Sequence, residues 1–244
     1  QDEKLMHLRQ LGLAKYILNP YENMVHSSGG IILVTGPTGS GKTTTLYASL
    51  AEIDNEAHNV ITIEDPVEYK LAGYSQIEIK PKVGLNFANA LRSVLRQDPD
   101  VIMVGEMRDS ETAQIAIQSA LTGHLVFSTV HTNSAPATIT RLIDMGIEPF
   151  LVTSTIIGVL AQRLVRKICP ECKISYEPHP EQLRELRINA QSFRKMGKKF
   201  CRGEGCVKCR NTGYRGRIGI HELLVMSEEI KKTILDYSDD ASIK

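Results

Sequence analysis

The chain has no tryptophan, and aromatic residues are only 5% of its 244 positions. Platforms that stack single-stranded bases depend on such residues, so no nucleic acid is expected as a partner. No apolar run approaches the roughly 20 residues that span a bilayer as a helix. The longest, Phe150 to Leu164, is interrupted by Thr153, Ser154, Thr155 and Gln162. The opening Gln1-Asp2-Glu3-Lys4 is charged rather than leader-like, so a cytosolic location is the default expectation. A net excess of charge is also missing. The formal balance of +1 nevertheless hides a segregation: Arg163 to Arg217 carries 15 basic and 5 acidic residues, and the remainder is acidic. Such a split points to two modules with different partners. The basic one suits anionic lipid or an acidic docking protein, although a solvated charged surface gives the same count.

What is present is chemistry for phosphate. Gly36-Pro37-Thr38-Gly39-Ser40-Gly41-Lys42-Thr43 follows the apolar Ile31–Val34 and precedes a helix-like stretch, Thr43 to Ala51. Strand, glycine-rich turn, lysine, hydroxyl and helix in that order predict a P-loop, with its backbone N–H groups turned towards phosphate oxygens. Lys42 then reaches the β- and γ-phosphates of ATP, and Thr43 ligates Mg²⁺.

Apolar runs at 31–35, 60–63, 101–104 and 125–130 alternate with helical stretches at 43–51, 87–96, 111–121 and 135–145. Phe87, Leu91, Val94 and Leu95 share one helical face, as do Ala113, Ala116, Ile117, Ala120 and Leu121. Strand–helix alternation predicts an α/β fold, a mostly parallel sheet covered on both faces, with ligands at the carboxyl ends of its strands. Each polar cluster after an apolar run is therefore a candidate site. Glu64-Asp65-Pro66-Val67-Glu68 supplies carboxylates for Mg²⁺ or water; a turn with solvated acids reads the same way. Glu106 ends the run Val101–Gly105 where a water-activating carboxylate belongs, or where an acid could simply pair with Arg108. His131 ends the run 125–130 and could sense a γ-phosphate; His124, just before that run, is a second catalytic candidate, or either histidine could be satisfied by backbone partners. Arg92, Arg96, Arg108 and Arg141 are candidates for contacts between subunits.

The expected organisation is a connector at 1–30 with a short amphipathic helix (Leu5, Leu8, Leu11), a P-loop domain at 31–167, a cysteine-rich module at 168–216 and a strand and helix at 217–244. A long helix is expected from Pro149 to Lys167, and a final one from Glu228 to Tyr237. Residues 238–244 give no fold signal. Cys169, Cys172, Cys206 and Cys209 form two C-x₂-C pairs with 33 residues between them. Four thiolates so arranged can close a tetrahedral Zn²⁺ site; a redox pair or plain buried thiols are the alternatives. Cys201 is read as a spare that could compete as a ligand.

Together these stretches resemble the type II secretion and type IV pilus assembly ATPases, from about Gly30 to Leu224. Residues 36–44, Thr44 included, resemble the family's Walker A. Residues 62–68 resemble its acidic box, 95–109 its Walker B ending in Glu, and 122–133 its histidine box. The tetracysteine module resembles that of the secretion and pilus-extension members, which disfavours the retraction subgroup. Residues 146–150 and 158–166 look closer to type II secretion than to pilus extension. The resemblance implies a RecA-like fold, a cytoplasmic homo-hexamer peripheral at the inner membrane, and docking on the platform proteins of the secretion machinery. It also implies an upstream domain that contributes arginines to the nucleotide site. A nucleic-acid motor and a nucleotide-gated scaffold remain rival readings.

Overall fold

The structure is a computed structural model that describes residues 6–195, 197, 199–236 and 240–243. Leu5 and Tyr237, both assigned to helices above, lie outside the described residues. In chain order the elements are α1 (Lys15–Val25), β1 (Gly30–Thr35), α2 (Lys42–Leu50), β2 (Val60–Glu64), β3 (Ser75–Glu78), α3 (Phe87–Val94), β4 (Val101–Val104), α4 (Ser110–Leu121), β5 (Leu125–Val130), α5 (Ala135–Asp144), α6 (Pro149–Thr155) and β6 (Ile156–Ile168). Then follow β7 (Lys173–Tyr176), α7 (Pro180–Glu185), α8 (Ala190–Lys195), β8 (Phe200–Gly203), β9 (Tyr214–Val225), α9 (Glu228–Asp236) and α10 (Asp240–Ile243).

Seven strands form one sheet in the order β3-β2-β4-β5-β1-β6-β9. Every pair from β3 to β6 is parallel. Consecutive residues of β1 point to opposite faces. Ile31 and Leu33 join a core built with α3, α4 and α5, whereas Ile32 and Val34 join one built with α1 and α2. Burial on both faces is why this strand is apolar without alternation. The expected helix stripes bury Leu91, Val94, Ala113, Ala116 and Ile117, but leave Leu121 exposed.

Three expectations are corrected. The helix from Pro149 stops at Thr155, and Ile156–Ile168 is a strand. Its β-branched residues Ile156, Ile157 and Val159 fill the sheet beside β1, a context that helical periodicity cannot reveal. The N-terminal helix lies at Lys15–Val25 rather than around Leu8 and Leu11, where the described residues form a short 3₁₀ turn, Leu8–Gln10. Ile17, Tyr21 and Met24 face the core at helical spacing, and the Tyr21 hydroxyl bonds Ser49 Oγ at 2.9 Å. Burial pushes the Tyr21 phenol up to about 12. Residues 8–25 are thus packed core rather than connector. Finally, residues 240–243 form a helical turn that buries Ile243.

The chain divides into two compact units, 1–164 with 219–244, and 165–218. The last strand from Gly219 onward and the helices after it therefore belong with the P-loop part. Within the second unit, β7 and β8 make an antiparallel pair. Phe200 packs edge-on against Tyr176 and Phe193.

Candidate functional site

The turn after β1 is shaped by its glycines. Gly36 and Gly41 sit at φ of +144° and +87°, which side chains with a Cβ rarely adopt. A Cβ on Gly36 would also run into the Gln162 carbonyl and the Ser40 side chain. The backbone is thereby curled in front of the N-terminus of α2, an arrangement that receives anions. Lys42 is buried, and its Nζ donates to the carbonyls of Gly36 at 2.9 Å and Pro37 at 3.2 Å. Burial lowers its pKa, and the nearby Glu106 carboxylate works in the opposite direction. Thr43 is exposed on the first turn of α2. Ser40 Oγ is buried with no hydrogen-bond partner among the described residues. Curled backbone, cationic side chain, open hydroxyl and an unsatisfied polar atom fit a polyphosphate with its Mg²⁺.

Glu106 meets this loop from β4. The segment is pinned by Met107 N donating to Thr129 O at 2.9 Å and Thr129 Oγ1 donating to Gly105 O at 2.7 Å. Glu106 Oε2 lies 2.7 Å from Arg108 Nε and 3.5 Å from His131 Nε2. The carboxylate is 14% exposed, the arginine 72%. A hydroxyl also ties β1 to the histidine loop: Thr132 N donates to Thr35 Oγ1 at 2.9 Å, and Thr35 Oγ1 donates to Val130 O at 2.7 Å. Loop, carboxylate and histidine thus converge at the carboxyl end of the sheet.

Other expected residues are placed differently. Glu64 is buried, and its carboxylate accepts from Tyr47 OH, Thr62 Oγ1 and Gln76 Nε2. A carboxylate with three donors positions its neighbours; the catalytic role expected of Glu64 does not fit this geometry. The phenol of Tyr47 is correspondingly raised, by burial and by that carboxylate. Asp65 and Glu68 are exposed beyond the end of β2. His124 is corrected more firmly. It precedes β5, and its backbone carbonyl accepts from Gly30 N at 3.1 Å, at the start of β1. Six strand residues at about 3.3 Å each put it about 20 Å from His131. Its ring instead meets Ser119 O at 2.8 Å and Thr122 Oγ1 at 3.0 Å. Among the arginines, Arg108 is at the site. Arg92 pairs with Glu111 on α4 at 2.6 Å, and Arg96 Nη2 bonds Ser93 Oγ at 3.5 Å. Arg141 is exposed on α5.

Two residues of the site were missed from the sequence. Gln162 is buried on β6; its Nε2 donates to Ser40 O and its Oε1 accepts from Thr45 Oγ1, both at 2.8 Å. The side chain clamps the phosphate loop to α2. Glu222 on β9 accepts from Ala135 N at 3.0 Å and so caps α5 beside the histidine loop. A lone amide inside an apolar run was the available signal for Gln162; reading that run as a helix concealed it. Gln162→Leu is expected to orphan the Ser40 carbonyl, while Thr45 Oγ1 keeps Gly41 O at 3.3 Å, at a cost of about 1–3 kcal/mol. A fall of several degrees in the thermal midpoint, read by circular dichroism, would register it; an unchanged midpoint would mean the clamp contributes nothing.

In the second unit, Cys169, Cys172, Cys206 and Cys209 have sulfurs all within 4.8 Å of one another. Cys169–Cys206 and Cys172–Cys209 are 3.9 Å apart and Cys206–Cys209 3.8 Å. Four sulfurs at about 2.3 Å from a common centre stand about 3.8 Å apart in a tetrahedron, so the donor set fits a metal ion of that size. Burial raises the Cys209 thiol, but N–H groups of Cys206 and Gly213, at 3.2 and 3.3 Å, outweigh it and hold it down at about 6. Cys201 Sγ lies outside the cluster, 3.7 Å from Ser175 Oγ.

A phosphate loop after an inner strand of a mostly parallel sheet, with a strand-end carboxylate one strand beyond its neighbour, defines a RecA-like P-loop NTPase fold. Residues 1–244 match the family model described as type II/IV secretion system protein, and the chain belongs to that family. It is 52% identical over 229 residues to the type II secretion system ATPase E of Vibrio cholerae serotype O1, covering 94% of this chain and 45% of that protein. It is 48% identical over 237 residues to the type IV pilus assembly ATPase PilB of Thermus thermophilus, covering 97% and 26%. Among solved structures, the pilus retraction motor PilT with bound ADP superposes with a TM-score of 0.69 at 32% identity, covering 97% of this chain and 57% of that one. The chain spans less than half the length of the curated relatives it matches.

Proposed function

We propose that this chain is the nucleotide-hydrolysing part of an ATPase that powers type II protein secretion. The observation that carries the reading is the meeting of Lys42, Glu106 and His131 at the carboxyl end of the sheet, in a chain of this family. The backbone of Gly36 to Thr44 and the Lys42 ammonium bind the phosphates of ATP. Thr43, helped by Asp65, holds Mg²⁺, which neutralises charge on the β- and γ-phosphates when bound. Glu106 takes the proton of the attacking water and His131 senses the γ-phosphate. Glu68 is open to the same metal or water, and Glu64 fixes Tyr47 behind them. Cys169, Cys172, Cys206 and Cys209 hold structural Zn²⁺. Assembly is into a homo-hexamer, cytoplasmic and peripheral at the inner membrane, docked on the secretion platform; the basic second unit suits anionic lipid or an acidic partner. Among the described residues no helix is long and apolar enough to cross a membrane. Pilus extension is the second reading, favoured by the 48% identity to the Thermus protein.

The test is ATP turnover by the longer, assembled protein and by its Lys42→Ala variant. Turnover in the parent and none in the variant is expected, since one cationic contact to the β- and γ-phosphates is lost. Undiminished hydrolysis by Lys42→Ala would overturn the assignment of the loop. Supplying the upstream arginines should raise the rate of the 244-residue chain by about 10³–10⁵, as an arginine finger does. Equal rates at every protein concentration, for this chain and for the longer one, would exclude the oligomeric motor.

A further inference from the structure

Tyr47 stands on the same helix as Lys42 and reaches across the sheet to β2. Val60, Thr62 and Glu64 alternate onto the face of β2 that α2 covers. The Tyr47 hydroxyl donates to Glu64 Oε2 and accepts from Tyr69 N at 3.3 Å. Its ring meets that of Tyr69 edge-on, with centroids 5.3 Å apart. Burial and the adjacent carboxylate both raise the pKa of the phenol, so at neutral pH it keeps its proton and remains a donor. Gln76, opposite Thr62 on β3, closes the cluster. Its Nε2 donates to Glu64 Oε1 at 3.2 Å and to Tyr69 O at 2.9 Å, and its Oε1 accepts from Leu71 N at 2.7 Å.

One hydroxyl thus bonds both Glu64 and Tyr69, and between them lies Asp65-Pro66-Val67-Glu68. The span is short, and both of its ends are tied to the helix that carries Lys42 and Thr43. Val67 N adds a third tie, donating to Glu78 Oε2 at 3.3 Å. Tyr47 is 1% exposed and Glu64 3%, whereas Asp65 and Glu68 are open to solvent. Packing alone does not call for this arrangement. A phenylalanine would fill the same space, and a buried carboxylate carries a desolvation cost that only its hydrogen bonds offset. What the polar cluster adds is a fixed place for the two carboxylates between its anchors. A loop held at both ends has already lost the freedom that gripping a cation would otherwise cost.

We infer that Tyr47 is a positioning residue, which holds the 65–68 loop so that Asp65 and Glu68 serve the metal bound at Thr43. The inference rests on the reading of Thr43, Asp65 and Glu68 given above, and adds what keeps the two halves of that site in register. Tyr47→Phe keeps the ring against Tyr69 and removes the hydroxyl. In the longer, assembled protein it is expected to raise the Mg²⁺ concentration for half-maximal ATP turnover at least about tenfold, the scale on which a lost outer-shell contact acts. ATP affinity measured without Mg²⁺ should be unchanged, because the Lys42 contacts do not pass through the phenol. Gln76→Leu removes the other arm of the cluster and should shift the Mg²⁺ requirement the same way; it carries the test if Tyr47→Phe does not fold. In an Asp65→Asn, Glu68→Gln background Tyr47→Phe should add nothing, since residues that act through one another are not additive. A parent-like Mg²⁺ requirement in Tyr47→Phe, or in Gln76→Leu where that variant stands in for it, overturns the inference. So does an equal further shift in the background without the two carboxylates, or a loss of Mg²⁺-free ATP affinity, because the tyrosine would then act on the fold at large or on the phosphate loop. The underlying reading fails separately: if Asp65→Asn, Glu68→Gln alone keeps the parent Mg²⁺ requirement, the acidic loop does not serve the metal, and the role of Tyr47 falls with it.

Discussion

Glu106→Gln in the assembled protein is expected to bind ATP as well as the parent and to turn it over about 10²–10⁴-fold more slowly, the usual worth of a positioned general base. The substitution keeps the shape of the side chain. It removes the carboxylate that Arg108 and His131 both address. Loss of a negative charge near the phosphates cannot weaken an anionic ligand electrostatically, so binding and turnover should separate. The same charge supports the ammonium of Lys42 against the effect of burial; without it the Lys42 pKa should fall further. Single-turnover hydrolysis with a parallel nucleotide titration reads both quantities. Turnover near the parent rate would remove Glu106 from the chemistry and leave it as the partner of Arg108.

The second large effect concerns the metal. Among the described residues of 165–218, the buried apolar side chains are Cys169, Leu183 and Cys209. Two of the three are members of the thiol cluster. A unit of this size without a core of its own needs a staple, and structural zinc contributes about 10–16 kcal/mol in comparable peptides. The purified protein is therefore expected to carry one Zn²⁺ per chain. Chelation, or Cys206→Ser, should unfold 165–218, seen as rapid proteolysis confined to those residues. Cys201→Ser should keep the metal, because that sulfur stands apart beside Ser175. Zinc-free protein with a protease-resistant second unit would sink this assignment, and metal loss in Cys201→Ser would move the fourth ligand.

The sequence by itself determined the features whose physics is local. Between an apolar run and a helix, the spacing of Gly36, Gly41, Lys42 and Thr43 already contains the backbone curl and the charge that a phosphate would need. The paired C-x₂-C motifs likewise singled out the four sulfurs that the fold brings within 4.8 Å of one another. Alternation of apolar runs with amphipathic stretches gave the parallel sheet and placed Glu106 and His131 at strand ends. Tertiary structure decided what depends on neighbours. Ile156 to Ile168 is a strand because β1 and β9 flank it, although its residues alone also suit a helix. That strand brings Gln162 under Ser40 from 122 positions away, a contact that no local pattern encodes. His124 and His131 belong to one sequence motif, yet a strand runs between them and separates them by its length. Glu64 ends β2 and Glu106 follows β4 by two residues, but packing surrounds the Glu64 carboxylate with three donors, while Glu106 is left facing a histidine, an arginine and the phosphate loop. Local sequence sets which residues can do chemistry; the surroundings each carboxylate and imidazole receives in the fold set which of them are placed to do so.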